Sequence, residues 1–372
     1  MFTINILQVI SGNDNGGGGN HVLNICKNNI EDMKCEIACI GDGPLYNKAK
    51  EAGISVVSMG LKDMINGKLL QLIEKNKIDI VNFHGAKSNF IYIFIKNKIK
   101  IPAVATIHSD YRYDFLNNKI KKYLYTPLST MGLKKFNNYI CVSDYLKDLL
   151  NSKSFEGQKY VVPNGIELKD YIQEISVEEL KNRYSISKED FVYIMIGRMH
   201  PIKNHIGLIN AFYRLSREYE NVKLFLLGDG ELKEELMEVV NKLNIKDKVI
   251  FIGFVHNVLD YLNASHISVL TSFNEGGAPP LVVLESALVR KTVISSEVGD
   301  MPFIIKKDNG FLIDPRLEED IYNKMKEAYL IKDKLEEMGK NLYNFVWKNY
   351  SIENFWGNYY SAYKHILAGE KK

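Results

Sequence analysis

The sequence predicts an α/β protein made of two doubly wound, parallel-sheet domains in series. Strand-length apolar runs alternate with helix-length amphipathic segments along the whole chain, the pattern of βαβ units. The alternation pauses once, near residue 170, and then restarts. At 372 residues the chain is also too long for one ordinary core.

Seven strand-like runs occupy the first half: TINILQVI, CEIACI, ISVVSM, IDIVNF, AVATIH, YICVS and KYVVP. The polar, helix-like stretch NGIELKDYIQEISVEELKNRYSISKED follows and contains no strand. Six further runs then appear: FVYIMIG, VKLFLLG, KVIFIG, ISVLTS, KTVISS and GFLI. The expected division is a first domain over residues 1–170 and a second over 171–351. The tail SIENFWGNYYSAYKHIL predicts a helix within 352–372 that offers Phe355, Tyr359, Tyr360 and Tyr363 for packing back on the first domain. In open α/β sheets ligands bind outside the carboxyl ends of strands, so chemistry is expected in a cleft that both domains face.

With 46% hydrophobic and 25% charged residues the composition is that of a folded enzyme, which argues against disorder. The net charge of +3 is unevenly spread. Residues 1–170 carry 22 Lys/Arg against 16 Asp/Glu, while the remainder carries 26 against 29. A basic half suits an anionic membrane surface or an anionic acceptor; the alternative is a solvated lysine-rich surface. No recognition motif accompanies the charge, so nucleic acid is not an expected partner. Cys26, Cys35, Cys39 and Cys141 do not make a zinc set and are expected as free thiols, which fits a reducing cytoplasm. The opening FTINILQVI lacks a basic leader, and no apolar run reaches the roughly 20 residues of a bilayer span. Any membrane contact is therefore expected to be peripheral.

Four glycines follow the first strand in VISGNDNGGGGNHVLNI. They do not match G-x-G-x-x-G, so a dinucleotide loop is not supported. Gly18 and Gly19, just before the helix, are expected to bring backbone amides close to a phosphate or sugar ligand. His21 either lies nearby or merely begins the helix.

The second half carries the stronger chemistry. In GRMHPIKNHIGLINAF, Gly197 allows a tight exit from the strand, and Arg198 and Lys203 flank a helix start. Two cations beside a helix amino terminus suit a diphosphate; the alternative is two surface cations. In LLGDGELKEEL, Asp229 and Gly230 either line a ligand or form an ordinary turn. The backbone of IGFV is a candidate wall for a planar base. In TSFNEGGAPPLVVLESALVRKTVIS, Pro279 and Pro280 suit a first helical turn, Glu275 precedes the helix and Glu285 lies within it. A carboxylate there can accept hydrogen bonds from ribose hydroxyls, and the amides of Gly276, Gly277 and Ala278 can hold sugar or phosphate oxygens.

Taken in order and at their spacing, these segments resemble the GT-B glycosyltransferases, specifically the large retaining family numbered four. ATIHSDY, ICVSDYLKDLL and VVPNGIELKDY extend the resemblance through the first half, so it covers nearly the whole chain. It implies a GT-B architecture, two Rossmann-like doubly wound domains facing an interdomain cleft. It implies that Arg198 and Lys203 hold the leaving diphosphate, Glu285 binds the donor ribose, and Glu275 with the amides after it contacts the donor sugar. His108 would face the transferred sugar, while Asn164 and Gly165 would shape the connection between domains. Two departures stand out. Nine residues separate Glu275 from Glu285 where the family usually has seven, which aligns Gly277 with the first glutamate. Phe303, in VGDMPFII, replaces a usual glutamate.

The implied reaction is retaining transfer of a hexose or N-acetylhexosamine from a nucleotide-diphosphate sugar to a hydroxyl of a glycan or lipid-linked acceptor, in bacterial surface polysaccharide synthesis. UDP is the favoured nucleotide and GDP the alternative. No Asp-x-Asp triplet occurs, so no metal or other cofactor is expected. The expected location is the cytoplasm, at the inner face of the membrane if Lys98, Lys100, Lys121, Lys122, Lys134 and Lys135 meet anionic lipid. Competing readings are a non-catalytic sugar-nucleotide-binding subunit and a sugar-nucleotide 2-epimerase.

Overall fold

The computed structural model describes residues 3–14, 16–113, 127, 129–166, 172–275, 277 and 279–369. The chain divides into two compact units, one of residues 1–167, 276–278 and 350–372, the other of 168–275 and 279–349.

The first unit holds a seven-stranded parallel sheet. Its strands are β1 (Ile4–Ser11), β2 (Met33–Ile40), β3 (Val56–Met59), β4 (Ile80–His84), β5 (Ala103–Ile107), β6 (Asn138–Cys141) and β7 (Gln158–Val161), in the order β3-β2-β1-β4-β5-β6-β7. The winding therefore reverses between β1 and β4, which opens a crevice at their carboxyl ends.

Strand register sorts the residues by face. Gln8 pairs with Asn82 and His84 with Thr106, so Gln8, Asn82, His84 and Thr106 share one face, and His108 continues that row. Ile4, Ile6, Ile80 and Val104 lie on the same face nearer the strand starts. This face is thus apolar at one end and polar at the other. The helix Ile352–Gly369 covers it through Phe355, Tyr359, Tyr363 and Ile366. The chain enters that helix beside the end of the first half, where Ile166 N donates to Tyr350 O over 2.8 Å. Gly165 is required there, since a Cβ would stand 2.5 Å from Phe355 Cβ. Trp356 Nε1 also donates to Asn24 O at 2.7 Å, tying the helix to the helix Gly17–Cys26.

The opposite face carries a larger apolar core. Leu7, Val9, Val81, Phe83, Ala105 and Tyr139 pack under the helices Gly85–Ile95 and Asp144–Ser152. All four cysteines are free thiols, with Cys39 and Cys141 buried.

The second unit holds a six-stranded parallel sheet of β8 (Phe191–Ile196), β9 (Val222–Leu227), β10 (Val249–Gly253), β11 (Ile267–Leu270), β12 (Val293–Ser296) and β13 (Gly310–Ile313). The order β10-β9-β8-β11-β12-β13 reverses between β8 and β11. Both faces are buried, which explains why these strands are almost uniformly apolar. Pro279 and Pro280 do not form the first helical turn. The helix runs Leu281–Leu288, and Pro280 caps it in an extended conformation, with φ −62° and ψ 134°. Among the described residues no helix is long and apolar enough to cross a membrane.

Candidate functional sites in the two units

In the second unit the crevice at the β8/β11 reversal gathers charge. Lys203 closes the short turn Pro201–Lys203 after β8, and Asn204 follows with φ 55°. The Asn204 side chain accepts from Gly207 N, capping the helix His205–Glu218. The β11 side locks onto this turn: Thr271 Oγ1 donates to Lys203 O at 2.9 Å, and Phe273 N donates to Ile202 O at 2.8 Å. These bonds bring Lys203 Nζ within 2.7 Å of Glu275 Oε1. The pair is largely withdrawn from water, with 22% and 11% of the two side chains exposed.

Arg198 sits on the same strand exit but is mostly exposed. Its Nη2 is 3.1 Å from Glu231 Oε2, and His200 Nε2 is 3.5 Å from Glu231 Oε1. Glu231's own backbone N–H, then Arg198 and His200, hold its carboxyl below the usual range. Close glycine contacts set this geometry. A Cβ on Gly228 would come 2.2 Å from Gly197 O, and one on Gly230 would come 2.4 Å from Met199 O, so the turns after β8 and β9 touch backbone to backbone. Behind them lies a recess of about 370 Å³, lined by Gly197, Arg198, Gly228, Asp229, Phe254 and Val255 among others. Phe254 is 74% exposed on its wall, while the Gly253 carbonyl is taken by Gly228 N. Asp229 is occupied locally, accepting from Gly230 N at 2.8 Å and from Lys233 Nζ at 3.1 Å.

Glu285 is half-buried on the helix Leu281–Leu288, without a partner among the described residues. Burial pushes its carboxyl up. Gly276 and Ala278 lie outside the described residues. Gly277 groups with the first unit and has φ +98°, a left-handed value that suits glycine and strains a glutamate. The acid of this loop that reaches Lys203 is Glu275. Phe303 is half exposed on the short helix Met301–Ile304.

In the first unit the β1/β4 crevice holds a recess of about 630 Å³, lined by Asp14, Gly16 to Gly18, His84, Lys87, His108, Tyr111 and Asn164 among others. Asp14 organises the glycine loop: its Oδ1 accepts from Gly16 N at 2.9 Å and from Gly19 N at 3.0 Å. Gly19 therefore does not offer its amide to a ligand, which corrects the expectation for that residue. It is needed for packing, since a Cβ would lie 2.9 Å from Asp14 O. Gly18 lines the recess, with no partner for its amide among the described residues.

His21 neither begins the helix nor faces a ligand freely. Its Nδ1 lies 2.6 Å from Asn164 Oδ1 and its Nε2 2.6 Å from the Tyr359 hydroxyl, so both nitrogens are engaged. Asn164 is thus a strut for His21. His108 lines the recess, with its Nε2 2.9 Å from His84 Nδ1. His84, Asp14, Glu231 and Gln8 were not picked out by motif. A signal for His84 did exist: Asn82/His84 and Thr106/His108 are polar pairs two residues apart at strand ends, so each pair shares a face. Of the basic positions, Lys98, Lys100, Lys134 and Lys135 are exposed, while Lys121 and Lys122 lie outside the described residues.

Two Rossmann-like units, each collecting polar side chains at its own topological reversal, define the GT-B class of fold. The chain matches the family described as Glycosyltransferase Family 4 over residues 15–170 and that described as Glycosyl transferases group 1 over residues 176–345. It belongs to the group 1 glycosyltransferases. An uncharacterised glycosyltransferase of Methanocaldococcus jannaschii is 32% identical over 244 residues, which span 63% of this chain and 59% of that relative. An Escherichia coli UDP-Gal:alpha-D-GlcNAc-diphosphoundecaprenol alpha-1,3-galactosyltransferase is 27% identical over 87% of this chain and 86% of its own length. Among solved structures, Anabaena HepE in complex with UDP aligns with a TM-score of 0.79 at 17% identity, covering 97% of this chain and 100% of that one. A Rickettsia africae glycosyltransferase aligns with a TM-score of 0.79 at 20% identity, over 98% and 99%.

Proposed function

We propose that this protein transfers a hexose or N-acetylhexosamine from a nucleoside-diphosphate sugar to a hydroxyl of a glycan or lipid-linked acceptor, with retention of configuration and without a metal. The observation that carries this reading is the Lys203–Glu275 pair at the β8/β11 reversal, beside the Arg198 strand exit. The bond from the anomeric carbon to the phosphate oxygen breaks as a bond to the acceptor oxygen forms on the same face. The departing phosphate takes the acceptor's proton. Arg198 and Lys203 stabilise the negative charge as it develops. Glu275, displaced from Lys203 by phosphate, is then available to sugar hydroxyls. Glu285 accepts from the ribose hydroxyls, and the recess beside Phe254 takes the base. In the first unit, the open amide of Gly18 and His108 serve the transferred sugar.

UDP is the favoured nucleotide, supported by the name of the Escherichia coli relative and by the UDP held by HepE. A lipid-linked acceptor is supported by the diphosphoundecaprenol in the names of the Escherichia coli relative and of a Campylobacter jejuni N-acetylgalactosaminyltransferase that is 29% identical over 53% of this chain. Such an acceptor places the enzyme peripherally at the cytoplasmic face of a membrane, in surface-polysaccharide synthesis. The exposed Lys98, Lys100, Lys134 and Lys135 suit that contact. Sedimentation with anionic vesicles tests it: binding lost at high salt is expected, and no binding at low salt overturns the membrane contact. Nucleotide release from a panel of nucleotide sugars, with and without lipid-linked acceptors, tests the activity. Acceptor-independent conversion of the donor would instead indicate an epimerase.

A further inference from the structure

Behind the recess of the first unit, a line of hydrogen bonds runs from the sheet interior to its surface. Gln8 Oε1 lies 2.7 Å from His84 Nε2, and His84 Nδ1 lies 2.9 Å from His108 Nε2. The Gln8 amide nitrogen faces the other way, 3.2 Å from the Tyr363 hydroxyl and 3.9 Å from Cys35 Sγ. Gln8 and His84 are buried, at 0% and 2% exposure, so water does not compete for these groups.

The directions then follow from donor and acceptor chemistry. A carboxamide oxygen only accepts, so His84 donates from Nε2. A neutral imidazole carries one N–H, so His84 Nδ1 bears the lone pair and accepts. His108 therefore donates from Nε2, and its own Nδ1 bears a lone pair. The described buried side-chain atoms that lack a partner are Asn89 Oδ1, both His205 nitrogens and Ser272 Oγ. His108 makes its hydrogen bond through Nε2, and its Nδ1 has no partner among the described residues yet is not one of these buried atoms, so it is open to the recess that the ring lines. Burial keeps the rings neutral, pushing His108 down to about 4 and His84 well below the ordinary range.

We infer that Gln8 and His84 are positioning residues that hold His108 in the Nε2–H tautomer, so that His108 presents a bare Nδ1 and accepts a hydrogen bond from a sugar hydroxyl. The inference rests on the proposed sugar transfer for its ligand, but the tautomer itself is independent of it. The relay also selects among ligands. A hydroxyl can donate to the bare nitrogen, whereas a phosphate oxygen or a deoxygenated carbon cannot. The glutamine, not the histidine that meets the sugar, sets this preference.

Nitrogen NMR of the full-length, histidine-labelled protein without donor reads the tautomer directly, with His108 assigned by its loss in His108→Asn. The expected result is a protonated Nε2 and an unprotonated Nδ1 on His108. In His84→Leu the acceptor is gone and the fixed tautomer should be lost. His84→Asn should restore it, because the Asn oxygen can replace Nδ1 as acceptor. Kinetics gives a second readout. His84→Leu should lower kcat/KM for the nucleotide sugar about tenfold, the loss of one hydrogen bond, while binding of the free nucleoside diphosphate stays unchanged. A protonated Nδ1 on His108, or an unaltered tautomer in His84→Leu, would overturn the relay whatever the protein's activity. Absence of all nucleotide-sugar binding would instead overturn the function on which the ligand assignment rests.

Discussion

Lys203 Nζ stands 2.7 Å from Glu275 Oε1, joining the turn after β8 to the loop after β11, the two strands where the sheet reverses. Neither charge is well solvated, so each depends on the other in the donor-free protein. In the proposed reaction, a nucleotide phosphate would compete with Glu275 for Lys203, since it is more highly charged and Arg198 lies on the same strand exit. On that proposal the same contact preorganises the cation and would be exchanged on donor binding.

Lys203→Met should lower turnover by roughly 10- to 150-fold, the loss of a charged hydrogen bond of about 1.5–3 kcal/mol to the leaving group. It should also destabilise the fold by about 1–3 kcal/mol, since Glu275 is left with little solvent. Steady-state nucleotide release and urea unfolding measure the two effects. An unchanged rate would remove Lys203 from the chemistry.

Glu285→Gln should stabilise the protein while weakening its affinity for donor. Burial raises the Glu285 carboxyl, so folding disfavours its charged form. Any stability this group contributes is present below its unfolded range near 4.3 and is lost as pH rises through the higher folded value. The neutral amide removes that loss, and the thermal midpoint at pH 7 should rise. Titration calorimetry should show weaker nucleoside-diphosphate binding, because one ribose acceptor has become a poorer match. A variant that is both less stable and equally tight would contradict this role.

Stability should fall as pH drops from about 6.5 towards about 4. His205 is buried, both its nitrogens lack partners among the described residues, and burial first, then Lys203, pushes it down to about 4. Between the two values the unfolded chain binds the extra proton and the folded chain does not, so acid favours unfolding. At pH 5 the loss from this one ring is on the order of 2 kcal/mol. Urea unfolding of His205→Leu at pH 7 and pH 5 should show a smaller difference than the parent by about that amount.

The two glycines of the first loop should separate. In Gly18→Val the new side chain enters the recess, its Cβ 3.0 Å from the end of the Asp14 side chain and 3.8 Å from His108 Cδ2, with no backbone in the way. Turnover should fall tenfold or more on the order of one lost contact, with little change in stability. In Gly19→Ala the Cβ meets Asp14 backbone oxygen at 2.9 Å, and the fold should lose about 1–3 kcal/mol. Thermal melts alongside turnover distinguish the two; the reverse ranking would place Gly19, not Gly18, at the ligand.

The sequence made all thirteen described strands legible, because buried parallel strands are short apolar runs and their spacing by helices is regular. Arg198, Lys203, Glu275 and Glu285 were legible as motif residues. The contacts they make were not. Glu231 meets Arg198 only because β9 lies beside β8, and Lys203 meets Glu275 across 72 residues because β11 returns to the far side of β8. Such adjacency belongs to sheet order, which local spacing does not encode. The polar row Gln8, His84 and His108 was partly visible as polar residues two apart in otherwise apolar strands. What hid it was the cover: Tyr359 and Tyr363 arrive from more than 250 residues away to close the same face, with Tyr363 3.0 Å from Asn82.

The most direct test of the account is acceptor-dependent release of nucleoside diphosphate by the full-length protein, followed with UDP-sugars first and a lipid-linked or glycan hydroxyl acceptor. Release in step with glycosylated product is expected, with the anomeric configuration of the donor kept in the new linkage. No release of nucleotide from any donor–acceptor pair, by protein that is folded and binds nucleotide, would contradict it.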